Sequence, residues 1–272
     1  MNIIKHELKA NLLALVLWSA SLITLIYLVS FEFQVFQGNL EIQEFMDSPL
    51  FQQFYGALGA GNVNIMTPEG FLSLLSIYIY LPLAIHAGLL GAGIISKEEK
   101  NKTAEYLFTL PVSRTRVLVA KFVAGFLYIV LANILVIGSA MIIFSRFDVS
   151  DNYYIFLRNL SIGVFLIQLI FYTVGLGLAS TLKDYKKSGS ITVGLLLGTY
   201  MINVLSNMTK EANFLRFITP FRYFAAPEMI DNDWSFIYFL LTIILVGTGV
   251  GSLFYFYRKR DFFIHVILKI TN

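Results

Sequence analysis

Cysteine is absent from the 272 residues, which excludes a disulfide framework and thiolate metal sites and leaves the redox compartment unread. Charge is scarce too: 14% of residues are charged, against about 25% in a typical soluble domain. No Gly-x-x-x-x-Gly-Lys-Ser/Thr phosphate loop occurs, because Lys187-Ser188 follows Asp184-Tyr185-Lys186 without the glycines that cradle a nucleotide. The longest stretch outside an apolar block is about 40 residues, too short for an ATP-hydrolysing domain. Nor do nucleophiles, bases and oxyanion donors cluster within the apolar blocks, so the chain is not expected to be an enzyme. What is abundant is apolar: 57% of residues are hydrophobic, and they come in long blocks.

A hydrocarbon core about 30 Å thick is crossed by roughly 20 apolar residues at 1.5 Å each. Six runs meet that length, at approximately 12–31, 71–95, 118–144, 156–182, 188–206 and 236–257. The expected fold class is therefore an all-α membrane protein, a single permease-like domain of six transmembrane helices. None of the runs carries Asp, Glu, Lys or Arg near its middle, where insertion scales place a cost of about 2.5–3.5 kcal/mol per charge. Lys121 and Arg158 stand near run ends, where long side chains are expected to reach the headgroups. The first run follows Lys5, His6 and Lys9, as a signal peptide would. It is longer than the usual apolar region of about 7–15 residues, and Phe31-Glu32-Phe33 offers no small-residue cleavage site, so it reads as a retained span.

With the N-terminus in the cytoplasm, six spans return the C-terminus there. That side then carries 15 of the 20 Lys and Arg residues. The outer side keeps Arg146, Arg158, Lys210, Arg216 and Arg222. The first outer stretch, 32–70, holds Glu32, Glu41, Glu44, Asp47 and Glu69 and no basic residue. The asymmetry follows the positive-inside rule, and the reverse orientation is rejected.

Inside the spans, Pro82 removes a ladder bond and is expected to kink the second helix. His86, one turn on, reads either as a proton relay or substrate contact, or as a histidine bonded to the carbonyl that Pro82 frees or facing a wet interior. Asn133, Gln168 and Asn203 read as interhelical hydrogen-bond partners, with Gln168 and Asn203 also candidates for a pathway. Gly194-Leu-Leu-Leu-Gly198 has the spacing that lets helix backbones approach closely, either within the chain or between two copies. One histidine is a poor basis for ion coupling, which needs relays or unwound ion sites near mid-membrane. A transporter of this composition needs its energy delivered from outside the bilayer.

The stretch between the second and third runs is where such energy could enter. Thr103 can cap a short helix, with Glu105 favourably placed in its first turn. Ala104, Leu107, Phe108 and Leu110 would give it an apolar stripe. Pro111 ends it, and Ser113 can cap the following span. From the residues alone, this helix either transmits a push or lies at the lipid headgroups.

Glu98-Glu99, Thr103-Ala-Glu-Tyr-Leu107 and Leu110-Pro-Val-Ser-Arg114, followed by Lys121, resemble the coupling stretch of type-two ABC exporter permeases. Ile3-Ile-Lys-His-Glu-Leu-Lys9 is similar to that family's amphipathic N-terminal helix. Ile218-Thr-Pro-Phe-Arg-Tyr-Phe224 is similar to its segment before the last span. Lys102 stands where family members often have glycine. The resemblance covers essentially the whole chain. It implies that Glu98, Glu99, Thr103, Ala104, Glu105, Leu107, Leu110, Pro111, Ser113 and Arg114 dock on a separate ATPase subunit. It further implies two ATPase copies, a second permease subunit in a homodimer, and ATP with Mg bound in the ATPase rather than in this chain. Membrane lipids are the remaining expected partner, and nucleic acid is not one.

The resulting expectation is an exporter subunit in a bacterial plasma membrane, moving an amphipathic peptide, antimicrobial or lipid-like molecule outward. The alternatives are an ion-coupled secondary carrier using His86, and a membrane-embedded enzyme. The last outer stretch, 207–235, is aromatic through Phe214, Phe217, Phe221, Tyr223, Phe224 and Trp234. It reads as an interfacial belt or as a gate for amphipathic cargo.

Overall fold

A computed structural model of the chain describes residues 3–37, 39–46, 48–57, 63–100, 113–182, 184–208 and 210–259. In order, its elements are α1 (Ile3–Phe36), α2 (Leu40–Met46), α3 (Pro49–Ala57), α4 (Pro68–Leu74), α5 (Ile77–Lys100), α6 (Arg114–Phe144), α7 (Asp151–Thr181) and α8 (Tyr185–Met208). A 3-10 helix at Lys210–Phe217 follows, then α9 (Pro220–Tyr223), α10 (Ala226–Ile230) and α11 (Phe236–Lys259). Helices α1, α5, α6, α7, α8 and α11 are each long and apolar enough to cross a membrane. The chain is thus an all-helical, multi-pass membrane protein among the described residues.

The two largest departures from the expected boundaries, at the starts of α1 and α5, have local reasons. The 34 residues of α1 span roughly 51 Å at 1.5 Å each, so residues 3–11 continue the first span and are not a separate element. The second apolar run is broken. Thr67 Oγ1 accepts the Gly70 amide at 3.2 Å and Pro68 occupies the first helical position, which starts α4. A Cβ on Gly70 would collide with the Asn64 carbonyl, so this turn needs glycine. Helix α4 stops at Leu74 and α5 begins at Ile77, so the spanning helix starts later than the hydropathy does. It continues through Pro82.

Helices α5 and α7 form the centre of the bundle. About 72% and 67% of their apolar windows are buried, against 22% for α1 and α11, whose outer faces are left for lipid. The central pair approaches closely because its contact is made of glycine. A Cβ on Gly175 would stand 2.9 Å from the Ala92 amide nitrogen and nearer still to the Gly88 carbonyl. A Cβ on Gly91 would strike the Tyr172 carbonyl. Gly249 brings α11 against Thr173 in the same way. Small residues here let backbones meet, where lipid supplies no hydrophobic drive to hold helices together.

Gly194 and Gly198 do something else. Nothing lies within 4 Å of a Cβ built at either, and both sit on the exposed face of α8. Packing within the chain, one of the two expectations for this pair, is corrected on that ground. The residues that fill α8's buried face are Ser188, Thr192, Leu196, Tyr200, Asn203 and Ser206, each about one turn from the next.

The end of the bundle opposite the N-terminus is more built than a loop reading allows. Within 32–70, helices α2 and α3 enclose a small apolar cluster of Met46, Phe51 and Ile65. Arg146, near the end of α6, places its guanidinium 4.9 Å from the Phe147 ring centre and 2.6 Å from Ser30 Oγ, joining α6 to α1. In the last stretch Phe221, Tyr223 and Phe224 are buried while Phe214 and Phe217 are exposed. The aromatic set thus divides between core and surface. Tyr80 Oη donates to the Phe224 carbonyl at 2.8 Å. Asn159 Nδ2 reaches the Met229 carbonyl at 3.0 Å and Asn232 Oδ1 at 2.9 Å. Asn232 turns the chain after α10 with φ 55°, a left-handed conformation that asparagine adopts more readily than most residues.

Candidate functional site

The N-terminal end of the bundle gathers charge inside protein. Glu7 lies on the second turn of α1 and is 2% exposed. Its Oε2 stands 3.1 Å from Lys97 Nζ on the last turns of α5, and its Oε1 stands 3.4 Å from Lys121 Nζ on α6. Lys121 is 1% exposed and also donates to the Ile94 carbonyl of α5 at 2.5 Å. The expectation that Lys121 reaches the headgroups is therefore corrected. Its ammonium turns inward because a carboxylate and a helix carbonyl are there to receive it, and a buried charge is tolerated only with such partners. Arg158, by contrast, remains exposed.

The neighbouring hydroxyls extend the network. Tyr128 Oη of α6 donates to the Leu8 carbonyl of α1. Tyr172 Oη of α7 donates to the Phe122 carbonyl at 3.0 Å, and its ring fills the space beside Gly125. Helices α1, α5 and α7 thus converge on α6 between Lys121 and Tyr128.

Thr103, Ala104, Glu105, Leu107, Leu110 and Pro111 of the coupling stretch lie outside the described residues, as does Lys102. Its flanks are described. Glu98 and Glu99 continue α5 into its last turn. Ser113 takes the N-cap of α6, its hydroxyl accepting the Arg116 amide at 3.3 Å, and Arg114 is the first helical residue. The stretch therefore lies between the end of the central helix α5 and the start of α6.

The polar residues within the spans do not assemble into one site. Asn133 and Ser161 pair reciprocally across α6 and α7: Asn133 Nδ2 reaches the Ser161 carbonyl at 3.0 Å, and Ser161 Oγ donates to Asn133 Oδ1 at 2.6 Å. Gln168, fully buried near the middle of α7, has neither amide atom hydrogen-bonded. Asn203 leaves its Oδ1 without a donor and lines a small cleft at the far end with Ser76, Tyr80, Phe221 and Arg222. His86 is 4% exposed, with Nδ1 unpartnered and its ring 5.8 Å from that of Trp18. Its Nδ1 therefore does not take up the bond to a freed carbonyl that the sequence reading allowed.

Beside that cleft, Arg222 Nη2 and Glu228 Oε1 are 2.6 Å apart. Burial pushes the Glu228 carboxyl above its ordinary range while the Arg222 guanidinium pulls it back. Tyr223 is pushed up to about 12 by burial and by Tyr238, against which it stacks.

Glu7 escaped the sequence reading as a site residue. The available signal was a single carboxylate within Lys5-His-Glu-Leu-Lys9, a stretch noted only for its similarity to an amphipathic N-terminal helix. Only the tertiary fold brings Lys97 and Lys121 to it.

No curated protein sequence matches the chain. A family model, that of the ABC-2 family transporter proteins, matches residues 1–262. With six apolar helices, a charged end, and helices α5 and α6 bracketing the stretch at 101–112, the chain belongs to the ABC-2 transporter family, whose members are membrane components of ABC transporters rather than catalysts.

Proposed function

We propose that this chain is the permease subunit of an ATP-driven exporter, inserted with its N-terminal end in the cytoplasm of a bacterial plasma membrane. A separate ATPase, present in two copies and holding ATP and Mg, docks on the stretch from Glu98 to Arg114. A second copy of this chain completes the pathway, and an amphipathic peptide, antimicrobial or lipid-like molecule is moved outward. One observation carries the reading. Among the described residues, every ion pair lies at an end of the bundle, and its middle offers only amides, hydroxyls and His86. Such a bundle has no charge relay with which to draw on an ion gradient, and the bracketed stretch is its point of contact with an outside engine.

Reconstitution tests the reading. Membranes containing this chain and an ATPase encoded beside it are expected to export only with ATP. Changing Glu105→Ala or Leu107→Ala should abolish export while leaving the chain folded. Export driven by a pH gradient without ATP, or indifference to both changes, would overturn the proposal. The unpartnered Nδ1 of His86 favours a second reading, proton-coupled transport. That reading requires His86→Ala to abolish transport under a pH gradient.

A further inference from the structure

We infer that Glu7 is a positioning residue: its buried carboxylate ties the first turns of α1 to both helices that flank residues 101–112, and so fixes the two ends of that segment relative to one another. The inference deepens the transporter reading and rests on it for its meaning, since only there does the placement of this segment bear on transport.

The geometry is specific. One carboxylate has two oxygens, and each faces an ammonium from a different helix, Lys97 at 3.1 Å and Lys121 at 3.4 Å. Lys97 lies on the last turns before residue 101, and Lys121 about two turns after the α6 N-cap at Ser113. Lys121 also crosses to the Ile94 carbonyl, so α5 and α6 are joined directly as well as through Glu7. Tyr128 holds Leu8, the residue next to Glu7, by its carbonyl. Displacing the start of α1 therefore requires either breaking these contacts or moving both flanking helices with it.

Chemistry makes the arrangement firm. Glu7 and Lys121 are 2% and 1% exposed, so solvent does not screen them. Removing one partner of such a set strands the others in a medium that cannot solvate them, whereas an exposed pair would be lost with little effect. A hydrophobic residue at position 7 would pack α1 against the bundle. It would not join both flanks at one point, which a bridging carboxylate does.

The chain has no native cysteine, so paired spin labels can be placed without background. Lys100→Cys and Arg116→Cys put labels on exposed positions at the two ends of the segment. Gln34→Cys and Asp148→Cys form a control pair at the far end. In lipid vesicles, with the doubly labelled chain diluted into excess unlabelled chain, the first pair is expected to give one inter-label distance by pulsed electron paramagnetic resonance. Glu7→Gln should add a longer population, Glu7→Asp should keep the single distance, and the control pair should not change in either. Should Glu7→Gln fail to fold, Lys97→Gln serves: it removes the partly exposed partner, leaves the Lys121 pair in place, and should also lengthen the distance.

An unchanged distribution in both charge-removing variants would overturn the inference. So would equal broadening of the control pair in Lys97→Gln, because the loss would then be general. The measurement needs neither ATP nor a partner. A lengthened distance in a chain that binds no ATPase would sink the transporter reading alone, and an unchanged one beside intact ATP-driven export would sink only this inference.

Discussion

Replacing Gly175 by alanine adds one methyl group at the close backbone contact between α5 and α7. Its Cβ would stand 2.9 Å from the Ala92 amide nitrogen and closer to the Gly88 carbonyl, where ordinary contact begins at about 3.5 Å. Both obstacles are backbone atoms of α5, so no side-chain rotation relieves them. The helices must part by roughly an ångström, and the dispersion that holds α5 to α7 weakens along the contact. Overpacking of this kind costs about 1–3 kcal/mol. Alanine's better helix propensity returns at most about 1 kcal/mol, so the clash wins. The same substitution at Gly194 meets nothing within 4 Å and keeps only the propensity gain. Thermal denaturation in detergent, followed by loss of the monodisperse chromatographic peak, should place Gly175→Ala below the wild type and Gly194→Ala at or above it. If Gly175→Ala melts with the wild type, or Gly194→Ala is the more damaged of the two, the packing assigned to the α5–α7 pair is wrong.

The Asn133–Ser161 pair should show coupling of about 0.6–1.7 kcal/mol in a double-mutant cycle of Asn133→Ala and Ser161→Ala, the range found for hydrogen bonds between membrane helices. Strictly additive effects would contradict the bond. Ser113→Ala should cost about 1 kcal/mol by removing the cap of α6, and Ser113→Asp should restore most of it. Equal stability of the three forms, measured in the same detergent, would show that the cap carries nothing. Because burial raises the Glu228 carboxyl in the folded state, its contribution is present below the unfolded value of 4.5 and is lost as pH rises through the folded value. The melting temperature of the wild type minus that of Glu228→Gln should therefore grow as pH falls from neutrality towards 4.5. A difference that shrinks with acidification would mean that the Arg222 attraction, not burial, dominates that site.

Much of the helix inventory was legible in the order of residues, because a lipid-facing helix must be apolar along its whole length. Hydropathy alone therefore finds α1, α5, α6, α7, α8 and α11. The start of α6 was also readable, since Ser113 after proline is a local capping signal that needs no distant partner. The break at Leu75–Ser76 was not, because the apolar run passes through it without interruption. Gly194-Leu-Leu-Leu-Gly198 was misleading for a related reason. Spacing places both glycines on one face of α8, but which way that face turns depends on the other helices.

The charges divide along the same line. Net distribution along the chain sorts Lys97 and Lys121 to one end of the bundle, and any membrane helix of this length would put them there. Whether each meets lipid headgroups or a carboxylate depends on how α1 crosses α5 and α6. Sequence by itself determined that six helices insert and which residues lie near their ends, since transfer from water to hydrocarbon is a property of each segment alone. Tertiary structure decided which glycines let backbones meet, which faces stay open, and that Glu7 joins Lys97 to Lys121. Those depend on helix rotation and crossing, and on groups separated by up to 114 positions coming within 4 Å of one another.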